Sequence, residues 1–258
     1  MVALVGCGQS DEEKYTESLD TRTKTFDAEI EALSKADPKG TTEPPIQPKE
    51  VAKSPDPPET KSNTLVADPN IEKAIRETLF KPKGKLTDGD LVKVTKLWFD
   101  SISNPITDAG LKELSKLQNL TTLDLNISTV TDTGLKEVAK LKKLEELLLA
   151  SSKITDVGLK EIAKLQTLEH LNVSGTYITD AGLKEVAKLQ KLQGLEVSAN
   201  EITDEGLKEL SKLQKLTMLW LPYTQITDAG LKELTKLEKL QELLVHDTQI
   251  TDAGLKEL

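Results

Sequence analysis

From about Leu97 onward the apolar positions of the chain recur in two alternating rhythms. In the stretch VTDTGLKEVAKLKKLEELLLASSK, which begins at Val130, Leu135, Val138 and Leu141 come every three residues, with Lys136, Glu137 and Lys140 between them. That spacing predicts a short amphipathic helix. Leu144, Leu147 and Leu149 then follow as L-x-x-L-x-L, which predicts a short strand with its last two leucines facing inward. Thr131 or Asp132 can accept hydrogen bonds from the free N–H groups at the helix start, and Glu137 with Lys140 makes a favourable pair three residues apart. Gly134, in the first turn, leaves room for close packing on the adjacent coil. The same phrase starts at Ile106, Val130, Ile154, Ile178, Ile202, Ile226 and Ile250, each 24 residues after the last (130 − 106, and so on). A fixed period without insertion means stacked identical units. No single strand-plus-helix coil can bury both its faces, so neighbours must stack, pairing strands in parallel around one continuous core.

Upstream the rhythm changes. Ile71, Ala74, Ile75 and Leu79 fall at helical spacing, with Asp68 as N-cap, Pro69 early in the helix and a stop near Lys81-Pro82. LTDGDLVKV predicts a second short helix or turn before Leu97-Trp98-Phe99. Residues 66–105 therefore read as a helical N-terminal cap and first strand, with Trp98 expected in the cap, and 106–258 as the repeats. The last copy is incomplete at Leu258, which raises three expectations: a truncated frame, a continuation, or end-to-end association through the open edge. Residues 8–65 have no sustained apolar period and carry a proline cluster from Pro38 to Pro58 mixed with Thr, Lys and Glu, the composition of a disordered tether. Within it, Tyr15 to Ala36 could form a weak helix around Phe26, Ile30 and Leu33, although an isolated helix of that length is marginal in water.

Two resemblances follow from quoted residues. The L-x-x-L-x-L spacing, continued by Thr, Asn or Ser and then Ile-Thr-Asp, resembles a leucine-rich repeat protein over roughly Leu97 to Leu258. The TDxGL phrase is similar to the cysteine-containing subtype of that family, but the position where that subtype has Cys holds Ser128, Ser152, Thr176, Asn200, Thr224 and Thr248. Without those cysteines or an F-box, the chain looks closer to bacterial leucine-rich repeat proteins. The resemblance implies an α/β solenoid, with a parallel sheet on a concave face and short helices on the convex face, that binds another macromolecule on the sheet. Separately, Leu4-Val5-Gly6-Cys7 resembles the lipobox of bacterial lipoproteins, which implies cleavage before Cys7 and lipid on its sulfur. Residues 1–7 then read as a truncated signal segment, since the six residues before Cys7 are fewer than its basic and apolar parts require. The plainer alternative is a free thiol near a frayed terminus. Lipidation would place the protein at the cell envelope; without it an intracellular adaptor is the alternative.

Composition narrows the function. A formal charge of −9, from 43 acidic and 34 basic residues, opposes binding to a phosphate backbone, so nucleic acid is not an expected partner. One cysteine excludes a disulfide framework within the chain and any multi-thiolate metal site. Half of the 14 glycines are the repeat glycines, which leaves no phosphate-binding loop. The two histidines, His170 and His246, lie three coils apart, about 14 Å at ~4.8 Å per parallel strand, too far to share a metal ion. TDGD lacks the alternating ligands and distal Glu of a calcium loop. No cofactor and no enzymatic activity are expected. Asn119-Leu-Thr, Asn126-Ile-Ser and Asn172-Val-Ser match glycosylation acceptors, but the repeat itself generates such triplets.

Since packing fixes the inward positions, specificity must lie where the copies differ, on the residues flanking the inward leucines. In the fifth and sixth copies these become Met218, Trp220, Pro222, Tyr223, Leu244 and His246, an apolar cluster rimmed by Glu242 and Asp247. Interfaces enrich Trp, Tyr and Met at their centres. The sequence thus points to a protein or peptide ligand held on the sheet, with Trp220 and Tyr223 as anchors, Met218 and Leu244 beside them, and Asn172, Glu196 and His246 as polar selectors. The alternative from another class is a structural solenoid that associates with itself.

Overall fold

A computed structural model describes residues 65–99 and 106–256. Cys7, the tether and the helix expected over Tyr15 to Ala36 lie outside the described residues. The elements run helix α1 (Pro69–Thr78), helix α2 (Asp88–Leu91), strand β1 (Lys96–Trp98) and a 3-10 helix (Gly110–Lys116). Six strand–helix pairs follow: β2 (Thr122–Asp124) and α3 (Asp132–Val138), β3 (Glu146–Leu148) and α4 (Asp156–Ile162), β4 (His170–Asn172) and α5 (Asp180–Val186), β5 (Gly194–Glu196) and α6 (Asp204–Leu210), β6 (Met218–Trp220) and α7 (Asp228–Leu234), β7 (Glu242–Leu244) and α8 (Asp252–Leu255). The strands form one seven-stranded sheet in sequence order, each parallel to the next. Leu123 pairs with Leu147 and so on at the repeat period, whereas Leu97 pairs with Leu123, so the first coil is two residues longer than the others. This is the solenoid that the periodicity predicts.

Both rhythms bury what they were expected to bury. Leu135, Val138, Leu141, Leu144, Leu147 and Leu149 are each at most 1% exposed. The central leucines of all seven strands, from Leu97 to Leu243, are at most 2% exposed, while the residues on either side of each point away from the core. Burial of a Leu contributes about 1.5–3 kcal/mol, and the row is continuous across the stack. Strands stack about 4.8 Å apart whereas packed helices need about 8–10 Å, so a coil with strand on one side and helix on the other bends toward its sheet.

The choice between Thr131 and Asp132 at the helix start is settled by both acting, in different directions. Thr155, one coil on, caps α4 by accepting from the Val157 N–H at 3.2 Å. Asp132 instead reaches forward to that coil, accepting from the Thr155 N–H at 2.9 Å and the Thr155 hydroxyl at 2.7 Å. The arrangement recurs from Asp108 with Thr131 to Asp228 with Thr251. The repeat glycine makes it possible: a Cβ on Gly158 would lie 2.5 Å from Asp132 Oδ1 and 2.7 Å from Leu135 Cδ1. On the helix surface the Glu137–Lys140 pair forms at 2.6 Å.

At the positions held by Cys in the subtype, Ser152, Thr176 and Thr224 turn their hydroxyls onto the carbonyls of Leu149, Val173 and Leu221. Asn200 goes further and bridges two coils, donating to the Val173 carbonyl at 2.9 Å and the Val197 carbonyl at 3.1 Å. Ser128 Oγ is buried without a hydrogen-bond partner.

The N-terminal cap imitates a repeat. Asp68 caps α1 through the Asn70 and Ile71 N–H groups at 2.9 and 3.0 Å. Its other oxygen would meet a Cβ on Gly110 at 2.6 Å, the place a repeat Asp occupies against the next coil's glycine. Ile71 and Ile75 are fully buried and extend the core. Helix α2 is closed by a capping box between Thr87 and Asp90. The Asp90 carboxyl is held well below the usual carboxylate range by the Lys81 ammonium, then by Thr87.

Three details differ from the sequence reading. Leu65, read as the last residue of the tether, packs on the core and its carbonyl accepts from Lys116 Nζ at 2.8 Å. The first repeat helix is a 3-10 helix without a side-chain cap. Trp98 is not in the cap: it is the last residue of β1, 51% exposed, in register with Asp124 on the outward side of the sheet.

Candidate functional site

The outward side of the sheet is built from two columns set by strand register. One runs from Lys96 through Thr122, Glu146, His170, Gly194 and Met218 to Glu242. The other runs from Trp98 through Asp124, Leu148, Asn172, Glu196 and Trp220 to Leu244. The second places Glu196, Trp220 and Leu244 side by side on successive strands, so an acid, an indole and an alkyl group form one continuous strip.

These side chains hold one another rather than standing free. Asn172 Nδ2 donates to Glu196 Oε2 at 2.6 Å, and Trp220 Nε1 donates to Glu242 Oε1 at 2.7 Å. Trp220, Met218 and Leu244 are half-buried. Glu242, expected as rim, is the acceptor that fixes the indole. The periodic columns carried that signal, because Glu242 stands one period after Met218 and one strand beyond Trp220.

Glu196 is the electrostatic outlier of the face. Its carboxyl is raised to about 7, first by burial, then by the charge of Glu242, with Glu146 adding in the same direction and the Asn172 hydrogen bond opposing. Near neutrality it is therefore poised between neutral and charged forms.

Gly194 opens a gap in the first column. A Cβ there would lie 2.4 Å from His170 Nδ1 and 2.9 Å from Met218 Cε, so the two neighbouring side chains close over the glycine. His170 and Met218 are brought together in this way across a strand that offers no side chain of its own.

Tyr223 and His246 lie just after β6 and β7. Their rings meet edge to face with centroids 5.6 Å apart, and both residues are exposed. Tyr223 belongs to a series the sequence reading missed: the residue three beyond each strand from β2 to β7 has a positive φ, at Ile127, Ser151, Gly175, Ala199, Tyr223 and Asp247. Its N–H extends the pairing between coils, as from Ile127 to the Ala150 carbonyl at 2.7 Å. Pro222, expected to face outward, is buried, and its carbonyl accepts from the Ala199 N–H at 2.9 Å.

The structure thus gathers all seven candidates on the four coils of β4 to β7, with Asn172 joined to Glu196 and Tyr223 to His246. Among the described residues no group of three or more His, Cys, Asp and Glu side chains could hold a metal ion. No helix among them is long and apolar enough to cross a membrane.

Residues 93–257 match the family model described as a leucine-rich repeat region. Comparison with curated proteins finds no match. Among solved structures the chain is similar to internalin C2 of Listeria monocytogenes, with 22% identity, a TM-score of 0.50, and coverage of 69% of this chain and 93% of that one. At that identity the likeness is one of fold.

Proposed function

Because the chain belongs to the leucine-rich repeat family, we propose that it is a recognition protein without catalytic activity, which holds a protein or peptide partner on the outward face of its sheet. Trp220 and Tyr223 act as anchors, Met218 and Leu244 complete the apolar ground, and Asn172, Glu196 and His246 select polar groups. The observation that carries this reading is the state of Trp220: a half-buried indole on the outward side of the sheet, its N–H fixed by Glu242, between Glu196 and Leu244 on the flanking strands. An indole immobilised before binding loses little further rotamer entropy on contact, which is how hot-spot residues gain their effect. Scattered apolar side chains are ordinary on a surface, but Met218 and Trp220 on one strand, with Leu244 in register with the Trp on the next, form a prepared patch.

The place of action in this proposal is a bacterial cell envelope. Its support is the lipobox-like Leu4-Val5-Gly6-Cys7 followed by the proline-rich stretch, which together fit a binding domain held clear of a membrane by a lipid at Cys7.

The decisive experiment is affinity capture from envelope extract with the full chain, set against the Trp220→Ala/Tyr223→Ala variant shown by circular dichroism to be folded. A partner retained by the native protein and lost from the variant supports the anchors; identical captures refute them. Metabolic labelling with a radioactive fatty acid, compared with Cys7→Ser, tests the anchor, and absence of Cys7-dependent label removes the envelope reading.

A further inference from the structure

Resting on the proposed recognition by the sheet, we propose that the segment received there is cationic: a Lys or Arg, flanked by apolar side chains, lying over Trp220 between Glu196 and Glu242. Lys96 opens the outward column on β1, but from β2 onward the sheet face carries acids without bases. From each of β2 to β7 through the positive-φ residue that follows it, the outward strips contain Asp124, Glu146, Glu196, Glu242 and Asp247 and no Lys or Arg, although the chain has 34 such residues. On the helical side a lysine in successive coils pairs with a glutamate three residues before it, as Lys140 with Glu137, Lys164 with Glu161 and Lys188 with Glu185.

The acids of the sheet are treated differently. Glu146, Glu196 and Glu242 each accept from a neutral donor, namely Thr122, Asn172 and Trp220. A neutral donor orients a carboxylate without cancelling its charge. These three acids also feel one another, since Glu242 and Glu146 both act to keep Glu196 from ionising. A cation brought between them relieves that repulsion in a partly dry setting, where charge pairing is stronger than in water.

Geometry selects the kind of cation. Trp220 lies on the strand between Glu196 on β5 and Glu242 on β7. At about 4.8 Å per strand the two acids belong to strands about 10 Å apart, with the indole between them. A guanidinium or ammonium over that indole gains a cation–π contact and lies within reach of carboxylates on either side. Met218 and Leu244 leave apolar ground for the residues next to it in the partner. Acidic or polyanionic partners meet like charge on this face and are disfavoured.

The test is selection of peptides from a random library of roughly twelve residues displayed on phage, panned over the full-length protein and counter-selected on Trp220→Ala. Leu244→Asn serves as a second face variant should Trp220→Ala fail to fold. The expected outcome is enrichment of Lys or Arg beside apolar residues. The Glu196→Gln/Glu242→Gln variant should bind those peptides at least about tenfold more weakly, and raising salt from about 0.05 M to about 0.5 M should weaken them as well. Face-dependent peptides that lack basic residues, or that ignore the Gln substitutions and salt, overturn the cationic proposal while leaving recognition by the sheet in place. Failure to obtain any face-dependent peptide overturns both.

Discussion

At Ile127 a β-branched residue sits at φ 53°, a left-handed conformation that costs an L-residue roughly 1–2 kcal/mol. Ile127 is half exposed, so little packing opposes its replacement. Ile127→Gly should therefore raise stability by about 1 kcal/mol, read as a higher urea midpoint at unchanged slope; a lower midpoint would show that the side chain matters more than the backbone. This position was illegible in the sequence because six coils spell it Ile, Ser, Gly, Ala, Tyr and Asp, with Gly175 as the one hint. Glu196 was legible as a polar selector but not as a titrating group, since its burial and the approach of Glu242 depend on strand register. Its folded value of about 7 stands above the ordinary 4.5, so the contribution of the neutral carboxyl is fully present below 4.5 and is lost as pH rises through about 7. Glu196→Gln should match the native protein below pH 4.5 and exceed it by on the order of 1–3 kcal/mol above pH 7, measured by denaturation across that range.

Within a coil, the helix and its cap were readable from spacing, and the strand from the change of period. What spacing could not show was that the Asp of each TD pair works for the following coil. Asp156 accepts from the Thr179 N–H at 2.9 Å and its hydroxyl at 2.8 Å, so Asp156→Ala leaves two donors without that acceptor and should cost about 1–3 kcal/mol. The same hydrogen bonds at the last such pair, from the Thr251 N–H and then its hydroxyl, hold the Asp228 carboxyl below its ordinary value. That stabilisation is present at neutral pH and is lost as pH falls through the lowered value. Gly158→Ala should cost about 1–3 kcal/mol by overpacking. Combined with Asp132→Ala it should cost less than the sum of the two changes, because the carboxylate that the new methyl would strike at 2.5 Å is gone. A strictly additive double mutant would place the clash on Leu135 alone.

At the scale of the molecule, each coil touches only its neighbours, so stability rises from pairwise interfaces summed along the stack. Coils flanked on both sides are the best covered: Leu195, Val197 and Leu221 are fully buried, whereas Leu237 and Leu240 are 5% and 7% exposed and Val245 is half-buried. Amide hydrogen exchange should accordingly be slowest at β4 and β5 and faster at β7 and α8, and Leu195→Ala, at about 2–5 kcal/mol, should cost more than Leu243→Ala. The solenoid and its parallel order were legible from repetition alone. The sheet face was legible only as columns of residues, because which side chains grip each other depends on neighbours one period away, as Trp220 and Glu242 do. That dependence has an evolutionary side. Since every Asp–Thr pair spans the same interval, loss of residues 179–202 by recombination between repeats would bring Asp156 to Thr203 with the backbone joint unchanged, and would set Asn172 directly beside Trp220. Whole coils can thus be gained or lost as interchangeable cards, each shuffle composing a new face from an old deck while the scaffold beneath stays the same.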